Sequence, residues 1–93
     1  MNSDRQIFRP LLAQHARYRW DGLRRQHQIV FPEGVLVLNE SAAAVARLCD
    51  GRSRDEVIAA LEQQFSEGNP VADLDEFLQR LGRKGLLRDA VDP

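Results

Sequence analysis

Residues 27–38, HQIVFPEGVLVL, decide the fold of this chain. Two strand-like runs, HQIVF at 27–31 and VLVL at 35–38, flank a Pro-Glu-Gly segment, which is typical of two antiparallel strands joined by a tight turn. Ahead of them, residues 17–20 (RYRW) alternate charged and aromatic side chains, and this period of two indicates another half-buried strand. The sequence therefore predicts a three-stranded antiparallel sheet in which 35–38 is the third strand.

After Asn39 the apolar period lengthens to that of a helix. Asn39 or Ser41 can cap a first helix, and Ser53 with Glu56 forms a capping box for a second. The last helix opens with acidic residues and closes with basic ones, which suits the helix dipole. These signals predict an α+β domain whose sheet is followed by three helices. The first two carry apolar stripes that end at Cys49 and Phe65, and the third runs from about Asp73 to Lys84.

The chain has 93 residues, the length of one small domain. Residues 1–16 hold a few apolar side chains around Pro10 without a clean repeat. We therefore expect an N-terminal arm that packs through a few anchors or stays partly mobile. The domain itself is predicted to span residues 17–88, and residues 89–93 form a C-terminal tail.

Charge is unevenly distributed although the net charge is only −1. Residues 1–30 carry a net charge of +4 and residues 31–93 one of −5. Two interpretations stay open: solvated faces of opposite sign without a special role, or a basic segment that docks on an acidic partner. The arginines concerned come from the first strand and the loop after it: Arg17, Arg19, Arg24 and Arg25.

No group of residues has the pattern of a catalytic site. We therefore expect no enzyme activity and no cofactor. Cys49, His15 and His27 also lack the spacing of metal ligands, so we expect no metal. A single cysteine excludes an intramolecular disulfide, and no apolar run approaches the length of a membrane span. With a start that lacks the layout of a signal peptide, these features predict a cytoplasmic protein that does not enter the membrane.

The third strand, VLVL at 35–38, is apolar on both faces. Three helices can cover one face of the sheet, and the other then needs the N-terminal arm, a second subunit or a ligand. If the strand lies at the sheet edge, its N–H and C=O groups form a template for an extended peptide. Plain burial in the core is the alternative that periodicity leaves open.

Three segments occur together in an informative order and spacing: PEGVLVLN at 32–39, LCDG at 48–51, and the helix with its ending at 73–87. With them the chain resembles the coenzyme PQQ synthesis protein D family, from about residue 17 to residue 87. The resemblance implies a protein without enzyme activity. It also implies the fold called the RiPP recognition element, which is related to the winged helix-turn-helix.

The resemblance further implies two partners. Such proteins bind the ribosomally made precursor peptide of pyrroloquinoline quinone and present it to a radical S-adenosylmethionine enzyme, which joins a glutamate to a tyrosine within the peptide. In related recognition elements the peptide adds as a strand beside the third strand and lies against the third helix. Carried onto this sequence, the expected peptide-binding residues are Val35, Leu36, Val37, Leu38, Leu74, Phe77, Leu78 and Leu81. The arginines Arg17, Arg19, Arg24 and Arg25 belong to the opposite edge of a simple meander, so we expect them to stay free for the enzyme.

Two other functions remain open on the sequence. A winged-helix protein can bind nucleic acid, but Asp73, Asp75 and Glu76 would bring negative charge toward the phosphates, so we expect no nucleic-acid partner. Alternatively, the apolar strand edge could pair with itself in a structural dimerisation module. The pattern is compatible with a monomer or a homodimer.

Overall fold

A computed structural model describes residues 8–65 and 70–90 of the chain. The predicted three-stranded sheet and the three helices are present in the predicted order. The elements are β1 Pro10–Leu12, β2 Arg17–Asp21, β3 Gln26–Phe31, β4 Gly34–Leu38, α1 Glu40–Leu48, α2 Arg54–Gln64, α3 Pro70–Arg83 and β5 Leu87–Asp89.

The three-stranded sheet is an antiparallel meander with the strand order β2-β3-β4. Phe31 pairs with Gly34, so Pro32 and Glu33 alone form the turn between β3 and β4. Proline presets the backbone angle that the second position of a tight turn requires. The order leaves β2 and β4 at opposite edges.

The alternation of side chains separates the sheet into an inner and an outer face. Tyr18, Ile29 and Leu36 lie side by side across the three strands on the inner face and pack with the helices. On β4, Val35 and Val37 point to the outer face, where they are 49% and 54% exposed. The third strand is therefore apolar on both faces, but the described helices cover only one of them.

Side-chain caps begin the first two helices, as the sequence predicts. The carboxamide of Asn39 accepts the N–H of Ala42 at 2.8 Å at the start of α1. Ser53 and Glu56 form a complete capping box at α2, with bonds of 3.1 and 2.8 Å between each side chain and the other residue's backbone N–H. These bonds satisfy N–H groups that the first turn of a helix leaves without a partner.

The helix α3 begins at Pro70, three residues before the predicted start at Asp73. Proline suits the first helical position because the N–H that it lacks would have no partner there. The break expected just ahead, at Gly68 and Asn69, lies outside the described residues. Gly85 ends the helix in the left-handed conformation, with φ of 74°, while the N–H of Leu86 reaches back into the last turn.

One core lies between the inner face of the sheet and the three helices. The large side chains that it shields fully from solvent include Ile29, Val57, Leu61, Leu74 and Leu81. Among the described residues, none of the helices is long and apolar enough to cross a membrane.

A second, two-stranded sheet joins the two ends of the described chain, and the sequence analysis did not predict it. β1 pairs with β5 antiparallel, and the N–H of Gly51 bonds to the carbonyl of Pro10 at 2.9 Å. Asp89, assigned above to the C-terminal tail, is part of β5, and its carboxylate accepts the N–H groups of Phe8 and Arg9. Strands of three residues are too short to show an alternation, which is why periodicity misses them.

Candidate functional site

The edge of β4 is open and apolar. Among the described residues this strand pairs only with β3. An edge strand presents N–H and C=O groups along its free side, and these can pair with another extended chain. The half-exposed side chains of Val35 and Val37 lie on this strand, so an added strand would find both backbone partners and apolar surface.

A cleft of about 250 Å³ lies between α1 and α3. Its apolar lining consists of Ala42 and Val45 from α1 and of Leu74 and Phe77 from α3. Asn39 also lines it and directly follows the last residue of β4, so the cleft adjoins the end of the open strand. The remaining polar lining residues are Ser41, Asp73, Glu76 and Arg80.

The four helix residues expected to bind a peptide have different surroundings. Leu78 and Leu81 are buried in the core and do not line the cleft. Leu74 is fully buried but forms part of the cleft wall, and Phe77 is half-buried there. Of the four, Phe77 is therefore the side chain that an occupant of the cleft can contact over the largest area.

The acidic side of the cleft comes from Asp73 and Glu76. Asp75 does not line it, because the guanidinium of Arg54 on α2 holds both carboxylate oxygens of Asp75 at 2.7 Å. Residues 73, 76, 77 and 80 follow the i, i+3, i+4, i+7 spacing of one helical face, which explains why they share the cleft while Asp75 faces α2.

The α1 side of the cleft was missed at the sequence level. Ala42 and Val45 belong to the apolar stripe of α1, and a stripe alone indicates burial without separating core from cleft. Arg80 likewise resembled any basic residue near a helix C-terminus. No local signal distinguishes these three residues from their neighbours.

The four arginines of the predicted docking surface lie away from the β4 edge. Arg17 and Arg19 belong to β2, at the opposite edge, and Arg24 and Arg25 belong to the turn between β2 and β3. All four are exposed. Since β3 separates the two edge strands, the strand axes of β2 and β4 are about 10 Å apart.

A polar network ties the inner face of the sheet to α1. The hydroxyl of Tyr18 lies 2.7 Å from Nδ1 of His27, whose Nε2 lies 3.1 Å from the carboxylate of Glu40. The guanidinium of Arg47 donates to the same hydroxyl at 3.0 Å and stacks over the Tyr18 ring. Both nitrogens of His27 thus have partners within the protein, so this histidine connects β3 to β2 and to α1.

Cys49 is buried at the end of α1. Burial, with a smaller contribution from the charge of Asp50, raises the pKa of the thiol to about 12, which keeps it protonated and unreactive. Within the described part of the chain, no cluster of three or more His, Cys, Asp or Glu side chains could hold a metal ion.

The fold of this chain is similar to that of a solved structure. The solution NMR structure of the PqqD truncation of Methylobacterium extorquens PqqCD, a stand-alone RiPP recognition element, matches it with a TM-score of 0.74 at 26% identity. The match covers 95% of this chain and 99% of that one. The fold is therefore that of a RiPP recognition element.

Sequence comparison defines the family. Residues 26–87 match the family described as Coenzyme PQQ synthesis protein D (PqqD). The PqqA binding protein of Klebsiella pneumoniae strain 342 is 46% identical over 66 residues, which cover 68% of this chain and 71% of that protein. That of Rhodopseudomonas palustris strain HaA2 is 36% identical over 85 residues, covering 88% and 83%. The chain belongs to the coenzyme PQQ synthesis protein D family, as its sequence resemblance predicts.

Proposed function

We propose that this protein is a non-catalytic peptide chaperone of pyrroloquinoline quinone biosynthesis. It binds the precursor peptide, PqqA, in the cytoplasm and presents it to a radical S-adenosylmethionine enzyme. The names of its relatives, PqqA binding proteins, support the peptide as ligand. The observation that carries the proposal is the open apolar edge of β4 beside the cleft between α1 and α3.

The register of β3 and β4 indicates which backbone groups can receive the peptide. In a ladder closed by a two-residue turn, the pair next to the turn is hydrogen-bonded and the bonded pairs alternate from there. Phe31 pairs with Gly34, so Leu36 is bonded to β3, while Val35 and Val37 direct their N–H and C=O groups to the open edge. The peptide therefore pairs through the backbone of Val35 and Val37.

Side chains of the peptide supply the specificity that main-chain bonds lack. A strand added to β4 runs beside the cleft, and one apolar side chain of the peptide enters it against Phe77 and the buried wall of Leu74. Glu76 and Arg80 flank this position with opposite charges and select the polar neighbours. Leu36, Leu38, Leu78 and Leu81 support the site from the core side.

The enzyme meets the other edge of the sheet. Arg17 and Arg19 on β2, with Arg24 and Arg25 in the turn after it, are exposed and separated from β4 by a strand. Peptide and enzyme can then be bound at the same time, which presentation requires. Exposed charges of this kind mainly set the association rate and its salt dependence.

Calorimetric titration of the protein with its precursor peptide tests the peptide site directly. Val37→Pro removes an edge N–H without removing a bond to β3, so we expect a folded protein whose peptide affinity falls about tenfold or more. Val37→Thr keeps the N–H and the branched shape and should bind as the parent does. Leu36→Pro should instead lower the melting temperature, because its N–H bonds to β3. Parental affinity in a folded Val37→Pro variant would contradict strand addition.

A second substitution tests the cleft. Phe77→Ala enlarges the cleft and removes its main apolar contact, so we expect peptide affinity to fall about fivefold or more. Phe65→Ala, at the C-cap of α2 and outside the cleft, is the matched control for the loss of a half-buried phenylalanine. Thermal melts of both variants separate lost contacts from lost folding. Equal peptide affinities for the two variants would exclude the cleft as an anchor site.

A further inference from the structure

The turn between β2 and β3 exposes apolar and basic side chains together. Leu23 is 92% exposed, more than any other large apolar side chain of the described residues. Trp20 is 50% exposed, and its indole lies against Gly22 of the same turn. With the exposed Arg24 and Arg25 they form the hairpin tip, defined here as Trp20, Leu23, Arg24 and Arg25.

Hydrogen bonds to one buried carboxylate hold the hairpin tip in a fixed shape. Oδ1 of Asp21 accepts the N–H groups of Leu23 and Arg24 at 3.0 and 3.1 Å, and Oδ2 accepts the amide of Gln28 at 3.2 Å. The N–H of Arg24 is the largest of the influences that lower the pKa of Asp21, so the acceptor is charged at neutral pH. A surface already ordered in this way loses little conformational entropy when it binds.

The chemistry of the hairpin tip defines its complement. The buried carboxylate of Asp21 accepts the turn's own N–H groups and pairs with the guanidinium of Arg24 at 3.5 Å. The exposed positive charge of the tip therefore comes from Arg25 and from the outward part of the 70% exposed Arg24 side chain. This local positive charge occurs in a chain whose net charge is −1. Tryptophan and arginine are the residue types that most often dominate binding energy at protein interfaces. Leu23 offers no hydrogen bond and needs an apolar recess.

We propose that the hairpin tip docks into a folded protein whose surface carries carboxylates around an apolar recess, with Leu23 as the anchor. This inference rests on the proposed function in that the partner is the enzyme to which the peptide is presented. It goes further because it assigns binding affinity to Leu23 and Trp20, with Arg24 and Arg25 at the edge of this apolar contact. A nucleic acid is disfavoured because phosphates offer nothing to Leu23, and the cleft side of α3 carries Asp73 and Glu76.

Binding kinetics with the purified modifying enzyme test the assignment. Leu23 is almost fully exposed, so Leu23→Ser should melt like the parent, yet dissociate faster and bind about fivefold or more weakly. Arg25→Ala should slow association and reduce its salt dependence. Phe8→Ser and Arg88→Ala remove an exposed apolar and an exposed basic side chain elsewhere, and both should bind the enzyme as the parent does.

Parallel titrations keep this inference separate from the proposed function. Leu23→Ser should bind the precursor peptide as the parent does; an equal loss for peptide and enzyme would overturn the assignment. Parental enzyme binding by Leu23→Ser would also overturn it and leave the peptide site intact. The assignment would also be overturned if Leu23→Ser lost affinity only for duplex DNA or for phosphatidylserine vesicles, because the partner would then be of another class. Failure of the parent to bind peptide would instead refute the proposed function.

Discussion

Cys49 illustrates how its surroundings control the chemistry of a single residue. Its position on the apolar face of the first helix predicts a small buried side chain. In the fold the side chain lies inside the apolar cluster, and its N–H bonds to the carbonyl of Ala46 at 3.2 Å. Burial disfavours the thiolate, which is the reactive form.

Because burial raises the pKa of the Cys49 thiol, we predict that the protein loses stability at alkaline pH. The pKa of the thiol is about 12 in the folded protein, against 9.0 for an unperturbed cysteine. The unfolded chain therefore releases the proton first, so the stabilising effect of the neutral thiol is complete below pH 9 and is lost as the pH rises toward 12. Melting temperatures from pH 7 to 10 should fall more steeply for the parent than for Cys49→Ala. Identical slopes would contradict the assignment.

At the scale of elements, the helices were predictable where capping residues mark their starts. Asn39 and Ser53 cap α1 and α2 as their sequence contexts indicate, because a cap needs only the residues of one turn. The helix α3 begins at Pro70 and not at the predicted Asp73, because proline suits the first turn of a helix. β1 and β5 carry no local signal, because each depends on a partner strand more than 70 residues away.

The capping box of α2 predicts a measurable stability difference. Ser53→Ala removes the acceptor for the Glu56 N–H, and we expect the free energy of unfolding to fall by about 1 kcal/mol, with a melting temperature about 4–8 °C lower. Ser41→Ala is the matched control, because the Ser41 hydroxyl only donates to Asn39 and does not cap the helix. Denaturant unfolding of the two variants measures the difference. Equal midpoints would show that the capping box contributes nothing.

At the scale of the whole molecule, the seam between β1 and β5 joins the N-terminal segment to the residues that follow α1. Besides the pairing of the two strands, the N–H of Leu12 bonds to the carbonyl of Cys49 at 3.2 Å, and Pro10 is fully buried. The N-terminal segment therefore contributes to the core over residues 10–12, where the sequence showed no period. This contribution depends on contacts that are distant along the chain.

Removal of residues 1–12 tests the seam. The truncation exposes Leu87 and takes away the buried Pro10, so we expect it to cost about 2 kcal/mol or more, or roughly 10 °C in melting temperature. Phe8→Ala, which changes an exposed side chain of the same segment, should melt close to the parent. A truncated protein with the parental melting temperature would show that β1 does not stabilise the domain.

The sequence by itself determined the three strands of the meander, the three helices with the caps of α1 and α2, and the apolar stripe of α3, because each depends on residues within a few positions of one another. Only the tertiary structure decided that Leu78 and Leu81 enter the core while Phe77 borders a cleft. It also decided that Val35 and Val37 lie on the uncovered face of β4. The physical reason is that an apolar pattern records avoidance of water. It does not record which neighbour excludes the water, because the neighbours are separate elements, such as α1, which packs against both α3 and β4.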